Sequence, residues 1–187
     1  MNLNGDPGLI WRCALPAIGR PDARLPNEMM NIRTVTTDKD LQEIRSCVVE
    51  LQDYECQFDP RMPSGESIAD EYLEDIKRKC EEHDGQIFLS EIDGSIAGFV
   101  SVLAKVISGV LNDGNLICSC IDDLIVREQF RRLGVAKKLV EAAESFAKSK
   151  NARWLRLSVM ARNTSARKLY SSLGFSEFYV DYEKDLK

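Results

Sequence analysis

Two adjacent carboxylates, Asp122 and Asp123, interrupt the apolar run IDDLIV. Aspartate is depleted from strand interiors because removing its charge from water is costly. Burial raises the pKa of a carboxyl group, so this pair is a candidate for general base catalysis near neutral pH. The alternative is a sheet end or a bulge at which both side chains reach solvent. Neighbouring side chains of a regular strand point to opposite faces, and we expect that arrangement here.

A short loop with small residues follows the carboxylates. Arg131, Gly134 and Ala136 form the pattern R-x-x-G-x-A, and the apolar spacing after it predicts a helix. The N–H groups and the dipole at the start of that helix would hold an anion at Leu133 to Ala136, so we expect a phosphate there. The glycine is not followed by the Lys-Ser or Lys-Thr of a P-loop, and the loop lacks the second and third glycines of a dinucleotide-binding loop.

A second motif, NTSARKLYSSLGF, runs from Asn163 to Phe175. The strand, the R-x-x-G-x-A loop, the helix and this motif, in that order, resemble the GCN5-related N-acetyltransferase (GNAT) superfamily. The resemblance is strongest over residues 117–178 and does not reach the first thirty residues. It implies the acyl-CoA N-acyltransferase fold, which belongs to the α/β (mixed α+β) class. In this fold, helices flank a central mixed sheet whose central strands splay apart.

The resemblance implies that acetyl-CoA is the cosubstrate and that the loop binds its pyrophosphate. It also implies that backbone groups of the strand bind the pantetheine amides. The predicted cofactor-binding residues are Leu124, Ile125, Val126, Arg131, Arg132, Leu133, Gly134, Val135, Ala136, Asn163 and Tyr170. Solvation without any ligand contact is the alternative for the two arginines.

The predicted catalytic residues are Asp122 and Asp123, as candidates for the base that takes the amine proton, and Tyr170, whose role the resemblance implies. Diamine-acetylating members have a similar strand, with an acidic residue at the position of Asp122 proposed as the base, which favours Asp122 over Asp123. The tyrosine that matches Tyr170 protonates the coenzyme A thiolate in many members. A tyrosine pKa of about 10 exceeds a thiol pKa of about 8.5, so this transfer needs a polarised site. The alternative is that Tyr170 packs against Phe175 in the core.

We therefore expect an N-acetyltransferase that moves an acetyl group from acetyl-CoA to a primary amine by direct attack in a ternary complex. The competing hypothesis is a non-catalytic acyl-CoA-binding or interaction module on the same fold. Presence of both Asp122 and Tyr170 favours the enzyme. The acceptor and the oligomeric state, including a homodimer, stay open, although the acidic balance favours a small cationic amine.

Composition limits the remaining classes. The chain has 187 residues and a net charge of -5, which fits one domain and argues against a nucleic-acid partner. The sequence has six cysteines without a C-x-x-C pair and a single histidine, so we expect reduced thiols and no metal site. No apolar run approaches the roughly 20 residues of a membrane span, so we expect a cytoplasmic protein without a membrane partner.

Two other side chains are candidates for chemistry. His83 stands beside Asp84 and Gly85 at a predicted helix end, which favours a C-cap contact over a role as a base. Cys120 shares a predicted strand face with Asp122, but no neighbouring histidine would activate it as a nucleophile.

Residues 1–30 contain four prolines without periodicity and predict a poorly ordered arm, and residues 31–187 predict a single domain. A tag, an upstream translation start and a functional arm are the alternatives for residues 1–30. Periodicity and turn signals then predict the order of the elements. Before the central strand and helix, we expect a strand near Ile32–Val35, a helix capped at Thr37 or Asp38, a helix over Ser67–His83, a hairpin of Gln86–Ile92 and Ser95–Val106, and a connection over Gly109–Asn115. After them, we expect a parallel strand over Trp154–Val159, a helix capped at Asn163 or Thr164, and a last strand over Phe175–Tyr182.

Overall fold

One mixed sheet organises the protein in the computed structural model, which describes residues 12–13, 30–107 and 116–186. Its strands are β1 (Arg12–Cys13), β2 (Met30–Thr34), β3 (Gln86–Ile92), β4 (Ser95–Ile107), β5 (Ile117–Val126) and β6 (Leu155–Arg156). The helices are α1 (Asp38–Glu55), α2 (Gly65–Glu82), α3 (Val135–Ser149) and α4 (Thr164–Ser172), with a 3-10 turn at Glu128–Phe130. The strand order is β1-β5-β4-β3-β2, and β6 also pairs with β5.

Strands β2, β3 and β4 form the predicted antiparallel meander, and β5 continues it by pairing antiparallel with β4. Asp93 and Gly94, with φ angles of 50° and 74°, make the tight turn between β3 and β4. β6 returns parallel to β5 after α3, which is the crossover that the order of strand, helix and strand predicts. β5 therefore has strands on both sides, and its residues from 118 to 126 are buried.

Helices cover both faces of the sheet. α1 and α2 pack on one face, where residues such as Ile44 and Leu73 join Leu89 in one core. α3 and α4 pack on the other face, where Leu139 and Tyr170 belong to a second core. The side a β5 residue faces therefore decides which helix pair it meets.

Three helices begin or end at the capping residues that the sequence predicts. Thr37 caps α1 through a reciprocal capping box with Asp40. Asn163 caps α4, since its side-chain oxygen accepts a hydrogen bond from the Ala166 N–H. His83 is the C-cap of α2, and its carbonyl oxygen accepts hydrogen bonds from two N–H groups of β4, which ties the helix end to the sheet.

The predicted strand over Phe175–Tyr182 is wrong. Residues 175–186 have no strand, and Phe178, Tyr179 and Tyr182 are exposed. A run of aromatic and β-branched residues forms a strand only where a sheet edge is available to pair with it. The predicted strand over Trp154–Val159 exists but is shorter, because only Leu155 and Arg156 pair with β5.

The first predicted strand is present as β2, which starts at Met30. Upstream of it, Arg12 and Cys13 pair in parallel with Asp123 and Leu124 of β5. Most of the predicted arm, and the predicted connection at 109–115, lie outside the described residues, so the predicted disorder of the arm stays a prediction. In the described part of the chain, no helix has the length and apolar character to cross a membrane.

Candidate active site

A bulge in β5 places both carboxylates on the same face of the sheet. Ser101 of β4 pairs with Asp123, whereas the next residue, Val102, pairs with Ile121. Asp122 is therefore the extra residue of β5 and is not paired with a residue of β4. One extra residue in a strand shifts the alternation of its side chains by one position. The prediction that the two carboxylates face opposite sides is therefore wrong.

Both carboxylates face α2, and both are buried. Asp122 is 3% exposed and Asp123 is 0% exposed. The ammonium nitrogen of Lys79 lies 3.3 Å from Oδ2 of Asp122. The Tyr72 hydroxyl donates a hydrogen bond of 2.6 Å to Oδ1 of Asp123. The bulge that the sequence analysis gave as an alternative is thus present, but the two carboxylates are buried and do not reach solvent.

Asp123 is held by hydroxyl groups. Besides Tyr72, the Ser101 hydroxyl donates to Oδ2 of Asp123 at 2.8 Å and accepts from the Asp123 N–H at 2.9 Å. Both carboxylate oxygens of Asp123 therefore have donors, which is what a buried carboxylate requires. These contacts fix Asp123 in place and leave it as a close negative neighbour of Asp122.

Asp122 is in a different electrostatic environment. Burial, and then the Asp123 carboxylate, raise the pKa of Asp122 from its ordinary value of 3.8 to about 7, against the opposing effect of the Lys79 ammonium. A carboxyl group with a pKa near the working pH can both take up and release a proton. The role of Asp122 as a general base stays a prediction, and its raised pKa is compatible with that role.

Neither Lys79 nor Tyr72 was singled out in the sequence analysis. The two residues are seven positions apart on α2, so two helical turns bring them to one face. That spacing is visible in the sequence. Their partners are not, because the contact between Tyr72 and Asp123 joins residues 51 positions apart.

The loop after β5 leads into the N-terminus of α3, as predicted. Gly134 is the residue before the helix and has a φ of 88°, which glycine adopts without strain. A Cβ added to Gly134 would meet nothing within 4 Å. The first N–H groups of a helix have no acceptor within it, so the backbone from Gly134 to Ala136 offers donors at an open surface.

The loop side chains do not all point to that surface. Leu133 and Val135 pack into the core beside α3, which leaves only their backbone for a ligand. Arg131 turns back, and its Nε donates a 3.0 Å hydrogen bond to the Val126 carbonyl oxygen. Arg132 is exposed and has a φ of 68°. Arg131 thus fastens the loop to the end of β5, while Arg132 is the arginine of this pair that faces solvent.

Two strands share one edge of β5. β6 pairs with Ser119 and Cys120, and β1 pairs with Asp123 and Leu124. Of the residues predicted to offer backbone groups to pantetheine, Leu124 is therefore paired with β1, and Ile125 and Val126 follow it along the strand. The side chains of all three are buried.

Tyr170 lies in the core on the face of the sheet opposite to Asp122. It is 3% exposed, and its ring meets Phe175 edge to face at 5.8 Å between centroids. The alternative in the sequence analysis, in which Tyr170 packs against Phe175 in the core, describes this contact. The role of Tyr170 as an acid stays a prediction. Asp122 faces α2, whereas Tyr170 belongs to the core on the side of α3 and α4, so the sheet lies between the two residues.

Asn163 and Cys120 have local partners. Asn163 is buried, and its Oδ1 accepts a 3.1 Å hydrogen bond from the Ala166 N–H. Cys120 is buried with its sulfur 3.6 Å from that of Cys118, and this contact and then burial raise the pKa of the Cys120 thiol far above its usual range. Cys120 therefore stays protonated, which argues against a nucleophilic role.

Comparison with known proteins identifies a family. The sequence model described as "Acetyltransferase (GNAT) family" matches residues 50–175. An N-alpha-acetyltransferase of Sulfurisphaera tokodaii is 29% identical over 107 residues, which are 53% of this chain and 61% of that protein. GCN5-related N-acetyltransferase 4, chloroplastic, of Arabidopsis thaliana is 34% identical over 101 residues, which are 52% of this chain and 34% of that protein. The matches thus span about half of this chain and less than two thirds of either relative.

A solved structure shares the fold. The structure of AAC(6')-Iy in complex with the bisubstrate analog CoA-S-monomethyl-acetylneamine superposes with a TM-score of 0.57 at 24% identity. The superposition covers 83% of this chain and 98% of that one. At this identity, the likeness shows the fold.

Replacing Asp122 by asparagine is expected to change the pH dependence of stability. The pKa of Asp122 in the folded protein, about 7, lies above its ordinary value of 3.8, so the wild type loses stability as the pH rises through this window. Asparagine does not titrate. From about pH 5 to about pH 8, Asp122→Asn should gain roughly 2–3 kcal/mol of unfolding free energy relative to the wild type in urea titrations. Asp181→Asn, at an exposed position, is the control, and a pH-independent difference for Asp122→Asn would contradict the raised pKa.

Proposed function

Because the chain belongs to the acetyltransferase (GNAT) family, we propose that it transfers an acetyl group from acetyl-CoA to a primary amine. The amine attacks the thioester directly, in a ternary complex. The observation that carries this proposal is the buried Asp122, whose pKa of about 7 suits a base at neutral pH, beside the strand edge that leads to the open N-terminus of α3.

The loop residues fit the pyrophosphate of acetyl-CoA. The backbone of Gly134 to Ala136 offers donors, and the space beside Gly134 is open. Arg132 adds a positive charge in solvent, which is worth little beside the backbone donors because it is screened. Arg131 contributes by holding the loop against Val126.

The edge of β5 fits the pantetheine arm. A ligand that pairs with the backbone from Leu124 to Val126 would follow the strand from the loop towards the carboxylates. At Leu124 it would replace β1, which pairs with the same residue. A thioester at this edge lies between the two faces of the sheet, where both Asp122 and Tyr170 can approach it.

The proposed reaction uses these two residues for its proton transfers. An alkyl amine has a pKa of roughly 10.4 and arrives protonated, so Asp122 accepts its proton directly or through water. The neutral nitrogen forms a bond to the thioester carbon, the bond from that carbon to sulfur breaks, and the nitrogen releases a second proton to solvent to become the neutral amide. Tyr170 donates its phenolic proton to the departing thiolate and recovers one from solvent. Acetyl-CoA supplies the acyl group and the thiolate leaving group.

A cationic acceptor fits the surface next to the carboxylates. A cavity of about 660 Å³ lies along α2, and its lining residues are Pro63, Ile68, Glu71, Tyr72, Glu74, Asp75 and Arg78. Three of these are acidic and one is basic, so the lining attracts a positive charge. Tyr72 joins the cavity to the buried pair, because its ring lines the cavity and its hydroxyl binds Asp123.

The activity is tested by thiol release from acetyl-CoA in the presence of a panel of amines. Polyamines, aminoglycosides, amino acids, peptides with a free N-terminus and lysine-containing proteins should be included. We expect release with a small cationic amine, and a loss of release in Asp122→Asn. Coenzyme A binding without release for any amine would favour the binding module, and no binding at millimolar coenzyme A would contradict both.

Gly134→Val is expected to abolish coenzyme A binding while the fold remains. The added branches would fill the space through which phosphate oxygens reach the backbone. Gly94→Val is a matched control, since Gly94 also has a positive φ and open space around its added Cβ but lies in the hairpin turn. Calorimetry on both variants, with circular dichroism as a check of folding, gives the answer. Unchanged affinity in a folded Gly134→Val would mean that the pyrophosphate binds elsewhere.

Tyr170→Phe is expected to lower kcat by roughly 100-fold or more, because positioned acid catalysis contributes about 10²–10⁴. The ring and its contact with Phe175 are retained, so coenzyme A affinity and thermal stability should barely change. Tyr182→Phe, at a position 95% exposed, is the control. If kcat is unchanged in Tyr170→Phe while the chemical step limits the rate, Tyr170 is a packing residue only.

A further inference from the structure

One partly buried ammonium group links the carboxylate pair to the surface cavity. The Lys79 side chain is 13% exposed, and its Nζ lies 3.3 Å from Oδ2 of Asp122. The same nitrogen lies 2.9 Å from Oδ2 of Asp75, one helical turn earlier on α2. Asp75 also pairs with Arg78 and lines the cavity. Lys79 is therefore shared between a buried carboxylate and a carboxylate at the surface.

The other groups around Asp122 determine what this ammonium does. The titratable neighbours are Lys79, Asp75 and Cys80 from α2 and Asp123 and Cys120 from β5. Burial raises the pKa of Cys80 to about 12, and Cys120 stays protonated as described above. Arg156 of β6 acts on Cys120. Among the described residues, the charged groups named as acting on Asp122 near neutral pH are thus the Lys79 ammonium and the carboxylates of Asp123 and Asp75.

We propose that Lys79 is a positioning residue for acetyl transfer, whose ammonium keeps Asp122 ready to accept the amine proton, and that Asp75 weakens this effect by competing for the same ammonium. The proposal rests on the proposed function, in which Asp122 is the base.

The arrangement gives each residue a distinct effect. Without Lys79, Asp122 would be a buried carboxyl group beside the Asp123 carboxylate, and both conditions favour the protonated form, which cannot act as a base. Burial alone would lower the pKa of Lys79, but the carboxylates of Asp122, Asp75 and Asp123 raise it, so the ammonium stays charged over the working range. Asp75 opposes Lys79 in two ways, as a second partner for the ammonium and as a negative charge near Asp122.

Lys79→Met tests the first half of the proposal. It keeps most of the side-chain volume and removes the charge, so Asp122 should titrate at higher pH. The acidic limb of the kcat/KM profile should then move upward by roughly 1–3 pH units. Lys79→Arg should keep the limb near its wild-type position, because the positive charge remains. Lys148→Met, which removes an exposed ammonium near Glu144, should leave the whole profile unchanged.

Asp75→Asn tests the second half, because its effect has the opposite sign. Removing the competing carboxylate should move the acidic limb to lower pH. The same amine is used for all variants, so the ionisation of the amine affects every profile equally. The quantity compared is the pH at the midpoint of the acidic limb, not the maximal kcat/KM. A merely structural role of the ion pairs would lower the rate in both variants at every pH. If Lys79→Met does not fold, Asp75→Asn still tests the proposal. An acidic limb that keeps its wild-type pH in Asp75→Asn, or moves to higher pH, overturns it.

Carboxyl carbon NMR of the substrate-free protein separates this proposal from the proposed base. The Asp122 resonance, assigned by its absence in Asp122→Asn, should titrate at higher pH in Lys79→Met and at lower pH in Asp75→Asn. Unchanged midpoints in folded variants overturn the role of Lys79. Shifted midpoints together with full activity of Asp122→Asn support the coupling and instead overturn the assignment of Asp122 as the base.

Discussion

The extra residue in β5 is the constraint on which the candidate site depends. Without the bulge at Asp122, one of the two carboxylates would face the apolar core beside α3 and α4, where Leu139 and Val140 would offer it no hydrogen bond. With the bulge, Ile121 and Leu124 still reach that core, and both carboxylates face α2. Bulges of this kind re-aim side chains next to active sites.

Two buried carboxylates side by side are stable only because α2 and β4 supply partners for them. Hydroxyl groups of Tyr72 and Ser101 bind Asp123, and the ammonium of Lys79 pairs with Asp122. The two environments differ, so the two carboxyl groups are suited to different tasks. Asp123 is fixed and supplies a negative neighbour, whereas Asp122 has a pKa at which proton transfer is useful.

In the proposed function, the strand edge and the helix start extend this arrangement into a site for a long ligand. β5 ends at Val126, Arg131 binds the carbonyl oxygen of that residue, and Gly134 then opens α3. One continuous path therefore runs from backbone donors at the helix to the bulge. β1 lies on that path at Leu124, so the N-terminal residues and a pantetheine arm would use the same part of the edge.

The sequence by itself determined the elements whose signals are local. The hairpin turn at Asp93, the caps at Thr37, His83 and Asn163, and the glycine before α3 depend on neighbouring residues, and the structure has each of them. The family could be recognised because two of its motifs are local as well. The tertiary structure decided the rest. Strand register, and with it the face of Asp122, depends on pairing with β4. The partners of the carboxylates come from other elements, such as Tyr72 of α2, 51 positions from Asp123, and Ser101 of β4, 22 positions from it. The last predicted strand failed for the same reason, since a strand needs a partner edge that its own residues do not specify.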